Sequence, residues 1–157
     1  MNGLVSEAVI GVEPVVLRRR VKWGECDPAG VVYTPVFSEY AISAFWAFLG
    51  ILLGHPLQDT LRRLDLTTPV RALSFDFQRS LRPDEIFDIT VLLRELGERT
   101  FTTNLRLTDP SGQTIADVVL TAICVHHQER KSRLIPQALR ELLVDYQRRC
   151  PTFSSAT

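Results

Sequence analysis

Between Val15 and Trp23 apolar and polar residues alternate, with Val15, Leu17, Val21 and Trp23 on one side and Arg18, Arg20 and Lys22 on the other. That period of two predicts a half-buried strand. The stretch 24–30 is rich in turn formers, and Pro35 follows at a position suited to the first turn of a helix, where a missing N–H is harmless. From Pro35 to about Leu53 the spacing is helical and apolar almost all round, through Phe37, Tyr40, Ile42, Phe45, Trp46, Phe48 and Leu49. Such a helix has to be enclosed, either by the rest of the chain or by a second subunit. A weaker helix spans Leu57–Leu64.

Four extended segments come next, at Thr68–Leu81, Glu85–Leu96, Arg99–Thr108 and Gln113–His127. The first alternates with Leu73, Phe75 and Phe77 inward. The last is apolar on both faces, as a central strand is. Short turns join them, the clearest being Asp109-Pro110-Ser111-Gly112, and short connections imply antiparallel neighbours. An amphipathic helix over about Pro136–Arg149 ends the pattern, and residues 1–13 and 150–157 read as loose termini around a core of about 14–149. The expected class is α+β: about five antiparallel strands wrapped around one long helix, in a single domain over 1–157.

Composition narrows the function. The chain has 157 residues, 45% of them apolar, which suits one globular domain. Eighteen Lys+Arg balance eighteen Asp+Glu, so no basic excess points to a nucleic-acid partner. Three scattered cysteines, Cys26, Cys124 and Cys150, read as reduced thiols of a cytoplasmic protein. The stretch before Arg18 carries two acids, Glu7 and Glu13, and no base, unlike a signal peptide. The most apolar stretch, Tyr40–Leu53, falls short of the roughly 20 residues of a membrane span.

Common enzyme signatures are missing: there is no GxSxG, GxxxxGK[ST], GxGxxG or HExxH. His126 and His127 are adjacent in an expected strand, so their rings point apart and cannot share a metal. No metal site is expected. Chemistry concentrates in Trp23–Pro35, where Asp27 sits in a turn with Pro28 and Gly30 and leads within eight residues into the helix. Unpaired N–H groups at a helix start favour a developing oxyanion, and a nearby carboxylate could attack a carbonyl or activate water. The same Asp27 equally suits a plain turn cap. Cys26 is a competing nucleophile without an identifiable base.

The string Trp23-Gly24-Glu25-Cys26-Asp27-Pro28-Ala29-Gly30-Val31-Val32-Tyr33-Thr34-Pro35-Val36-Phe37 resembles the signature of the 4-hydroxybenzoyl-CoA thioesterase group of hotdog-fold proteins. In element order the resemblance runs from about Val15 to Leu143. It implies a hotdog fold, a five-stranded antiparallel sheet around the helix at 35–53, paired edge to edge in a homodimer that is often doubled to a tetramer. Asp27 matches the family's catalytic carboxylate, nucleophile or general base, and the Thr34 backbone N–H matches the donor that polarises the thioester carbonyl. Tyr33 is the signature's aromatic, expected beside the substrate. Thr68-Pro69-Val70 matches a segment that lines the acyl pocket from the neighbouring subunit, and Arg99-Thr100-Phe101 a triplet near the CoA phosphates. Phe45 and Trp46 are candidates for acyl contact or plain core. The resemblance implies an acyl-CoA thioesterase with no cofactor, coenzyme A arriving as part of the substrate. A carrier-protein thioesterase and a non-catalytic acyl-CoA-binding module are the alternatives. Dehydration chemistry would call for a His near the helix, and Trp23–Leu53 has none.

Overall fold

The computed structural model describes residues 5–153. Strands β1 (Glu7–Val12) and β2 (Val15–Arg20) form a hairpin, and a 3₁₀ turn at Trp23–Glu25 leads to helix α1 (Val36–Leu53) and the short α2 (Leu57–Arg63). Then come β3 (Val70–Phe77), β4 (Ile86–Leu96), β5 (Thr100–Thr108), β6 (Thr114–Ile123) and α3 (Gln137–Arg149). All pairings are antiparallel, and the sheet order is β1-β2-β4-β5-β6-β3.

The sheet therefore has six strands, not five. The extra strand, β1, comes from the stretch expected to be a loose lead-in. Its Val9, Ile10 and Val12 stay exposed, so burial is a poor account of it. Instead its backbone satisfies the edge of β2, paired from Glu7 against Arg19 to Val12 against Val15 with a register shift between Val9 and Gly11, and the Glu7 carboxylate bonds the Arg19 guanidinium.

The short β3–β4 connection does not make those strands neighbours either, since β3 pairs with β6. Residues 78–85 cross the sheet beneath the start of α1, driven by burial of Leu81, whose carbonyl accepts from Val32 N–H at 2.8 Å. Trp23 is a further correction. The strand stops at Arg20, and Trp23 opens the 3₁₀ turn with 85% of its surface exposed.

The core lies between the concave face of the sheet and α1. Val15, Leu17, Ile89, Val91, Leu105 and Leu120 meet Phe37, Tyr40, Phe45, Phe48 and Leu49, all buried. Ala41 and Ala44, one turn apart on the buried side, let the helix approach the strands closely. By length and hydropathy α1 could cross a membrane, but its buried flank makes it the core helix of this fold. Its opposite flank is open in the single chain, where Ile42 and Trp46 remain exposed. Leu73, Phe75 and Phe77 of β3 do face inward, opposite Leu120, Val118 and Ala116, yet they sit at the margin of the core and Phe77 is 43% exposed.

The convex face is polar, with cross-strand pairs Arg18–Asp88 and Arg106–Asp117 at 2.8 Å. Helix α3 packs Leu139, Leu143 and Tyr146 beside α1, with the Tyr146 ring edge-on to Phe48 at 4.9 Å between centroids.

Candidate active site

The turn carrying Asp27 is held almost entirely by its own backbone. Asp27 N–H donates to Val31 O and Gly30 N–H to Asp27 O, both at 2.9 Å. Gly30 takes a φ of +80°, where a side chain would be strained. Asp27 Oδ1 accepts from Ala29 N–H at 2.9 Å. Among the described residues nothing donates to Oδ2. One carboxylate oxygen therefore caps the turn, as the plainer sequence reading expects, and the other accepts from no described residue.

At the start of α1 most donors are used. Val36, Phe37 and Ser38 N–H groups bond the carbonyls of Tyr33, Thr34 and Pro35 at 2.8–3.1 Å. Pro35 has no N–H, and Tyr33 N–H donates to Glu25 O at 3.0 Å. Among the described residues Thr34 N–H alone lacks a partner here, at the positive end of an 18-residue helix. A lone donor at that place suits a developing oxyanion.

Asp27 and Thr34 border two neighbouring hollows with no lining residue in common. Asp27 lies with Cys26, Pro28, Tyr33 and Val36 around about 270 Å³. Thr34 lies with Val31, Phe37, Phe77 and Arg79 around about 370 Å³. The Thr34 hollow lies where the edge strand β3 ends, at Phe77, whose ring meets Phe37 at 4.9 Å.

The other expected substrate contacts sit elsewhere in the chain. Ile123 N–H bonds Pro69 O, Ile123 pairs with Thr100, and Cys124 N–H bonds Arg99 O. Thr68–Val70 and Arg99–Thr100 therefore share one end of the sheet, at the start of β3. Asp27 and Thr34 lie at its finish, about 20 Å away along eight residues. Arg99 is exposed and Thr100 half-buried. Thr68 and Pro69 border a cavity of about 410 Å³ with Trp46, Leu61, His127 and Arg130. Thr68 is only 8% exposed, and its hydroxyl has no protein partner.

His126 and His127 lie past the end of β6. They do diverge: His126 Nδ1 meets Asp65 at 2.8 Å, while His127 faces the cavity. The periodicity makes His127 the last residue of an expected strand over Gln113–His127 and says nothing of Arg130 beyond it; Asp65, which bonds both His126 and His127 N–H, gave no local signal. Trp46 borders the same cavity, whereas Phe45 is core, stacked on Phe101 at 5.9 Å. The Cys26 thiol is pushed up by burial first and then by Glu25 and Asp27, so it stays protonated and is a poor nucleophile.

The sequence model of the thioesterase-like superfamily matches residues 21–143, spanning both hollows and the cavity. The chain belongs to that superfamily. Thioester hydrolysis, the enzyme class expected from Trp23–Phe37, agrees with this family. No curated protein matches the chain in sequence. Among solved structures, a thioesterase-superfamily protein from Jannaschia sp. CCS1 is 26% identical with a TM-score of 0.78, over 84% of this chain and 92% of that one. The 1,4-dihydroxy-2-naphthoyl-CoA thioesterase of Synechocystis is 22% identical with a TM-score of 0.73, over 83% of this chain and 95% of that one. A Staphylococcus aureus protein solved in complex with CoA is 12% identical with a TM-score of 0.83, over 97% and 92%. The last two share the fold, which is the expected hotdog-like α+β architecture with one more strand than foreseen.

Proposed function

We propose that this chain is an acyl-CoA thioesterase that works as a homodimer. The observation that carries the reading is that Asp27 Oδ2 and the helix-start Thr34 N–H, seven residues apart and bordering neighbouring hollows, both lack partners among the described residues. The thioester carbonyl would accept from Thr34 N–H. Asp27 would take a proton from water as the oxygen attacks the carbonyl carbon, and the tetrahedral oxyanion would be held by the same N–H. Collapse breaks the C–S bond, and the CoA thiolate recovers the proton. In the covalent variant, Asp27 itself attacks, CoA leaves, and water cleaves the mixed anhydride.

A second copy supplies what one chain lacks. Strand β3 is an open edge, with Val70 38% exposed at one end and Phe77 at the other. Antiparallel pairing of two β3 strands about a twofold axis sets the Val70 end of one beside the Phe77 end of the other. Each Asp27–Thr34 turn then faces Thr68–Val70, and the exposed Arg99, of the second copy. The open flank of α1, Ile42 and Trp46, gains cover in the same step. Doubling to a tetramer remains compatible with the polar convex face.

Thiol release from aryl-, short- and medium-chain acyl-CoAs, beside the same acyl groups on a carrier protein, tests the reading. Turnover that prefers CoA supports it. Preference for the carrier thioester would favour that alternative, and a raised melting temperature without thiol release would make the chain a binding module.

A further inference from the structure

The inward row of β2 reads Val15, Leu17, Arg19, Val21: three buried aliphatics interrupted by a guanidinium only 8% exposed. Arg19 is packed against the Tyr40 ring, its Cζ 4.7 Å from the centroid, and is paired with Glu25 at 3.4 Å as well as with Glu7. Burial, and then the charge of Glu25, hold the Tyr40 phenol above its ordinary range, and the Glu25 side chain is 13% exposed. A largely buried pair, here Arg19 with Glu25 and the exposed Glu7 at its outer end, is weak evidence of stability. Its position suggests another use. Glu25 sits two residues before Asp27. Its Oε1 accepts from Lys22 N–H at 2.7 Å, fixing the 3₁₀ turn, and its backbone carbonyl accepts from Tyr33 N–H, the residue immediately before Thr34. One residue is thus tied to both halves of the candidate site.

We propose that Arg19 is a positioning residue which, through Glu25, fixes the distance and angle between the Asp27 carboxylate and the Thr34 N–H. The inference rests on the thioesterase reading above. Reactions of this kind tolerate little error in the placing of their groups, and a shift of about 1 Å can lower turnover on the order of 100-fold. Arg19 touches no substrate in this scheme, so its loss lowers kcat and leaves KM nearly unchanged.

The test compares the parent chain with Arg19→Met, Glu25→Gln, the double variant and Arg19→Lys. The double variant removes both charges of the pair and so keeps the comparison open if Arg19→Met, which strands a buried carboxylate, does not fold. Folded variants without the pair are expected to lose about 10- to 100-fold in kcat with KM within about twofold, and Arg19→Lys to recover most of it. Amide exchange read on the same proteins without substrate should speed up at Tyr33 by at least about tenfold, with Phe45 in mid-helix unchanged. Unaltered Tyr33 exchange, or parent-like kcat in a folded double variant, overturns the proposal. A parent chain inert on every thioester sinks the thioesterase reading itself, an outcome the Tyr33 exchange separates from failure of the Arg19–Glu25 link.

Discussion

Tyr146→Phe isolates one hydroxyl that ties helix α3 to the sheet. The Tyr146 OH donates to Val91 O at 2.6 Å and accepts from Val15 N–H at 2.9 Å, and all three residues are fully buried. Phenylalanine keeps the ring against Phe48, so packing is conserved while a buried carbonyl and a buried N–H each lose a partner. An unsatisfied buried group costs about 1–3 kcal/mol. With both affected, and relaxation recovering part of the loss, the change should destabilise by about 2–4 kcal/mol. That is a large share of the roughly 5–15 kcal/mol that holds a domain folded. For a chain of this length it translates to a fall in Tm of roughly 5–15 °C. Urea unfolding of parent and variant at equal protomer concentration, with the m-value checked for constancy, measures it. A difference below about 0.5 kcal/mol would refute the assignment of Tyr146 as the bridge between β2 and β4.

The remaining expectations concern assembly, thiols and acid. Val70→Lys places a charge on the open β3 edge, and light scattering should find mass near 17.8 kDa where the parent shows twice that. Cys124, buried and pushed up to about 11, should be silent to thiol reagents in the native protein at pH 8, where about one in a thousand is thiolate, and react only on unfolding. Asp65 is held below its ordinary value of 3.8, first by the His126 hydrogen bond. Its contribution is complete above that value and fades as pH falls through the lower folded value, so Asp65→Asn should flatten the acid limb of the Tm profile below about pH 4.

Local periodicity revealed the helix at 36–53, the segments that become β4, β5 and β6, and the amphipathic α3, because each of these is an apolar run or stripe that the sequence writes out. It failed where hydrogen bonding rather than burial decides. Strand β1 pairs its backbone while its apolar residues stay wet, and the crossing of residues 78–85 follows from a single plug, Leu81, and one bond to Val32. In the candidate site, the turn pointed to Asp27 and the helix start because Gly30 and Pro35 are local features, whereas Thr34 was singled out by the resemblance of Trp23–Phe37 to the family signature. The separation of Thr68–Val70 and Arg99–Thr100 from that turn is a matter of strand order, which residue spacing does not encode. Arg19 was legible in principle: a charge in the i, i+2 row of Val15, Leu17 and Val21 signals a charged partner, here the largely buried Glu25 and the exposed Glu7.

The central claim is that Asp27 provides the carboxylate of thioester cleavage. Asp27→Asn keeps an acceptor oxygen for Ala29 N–H and so preserves the turn, while removing the base or nucleophile. Steady-state CoA release by the two proteins, each verified as folded by circular dichroism and melting, is the decisive comparison. The account predicts a loss of at least about 100-fold in kcat for Asp27→Asn. Turnover within about twofold of the parent would contradict it.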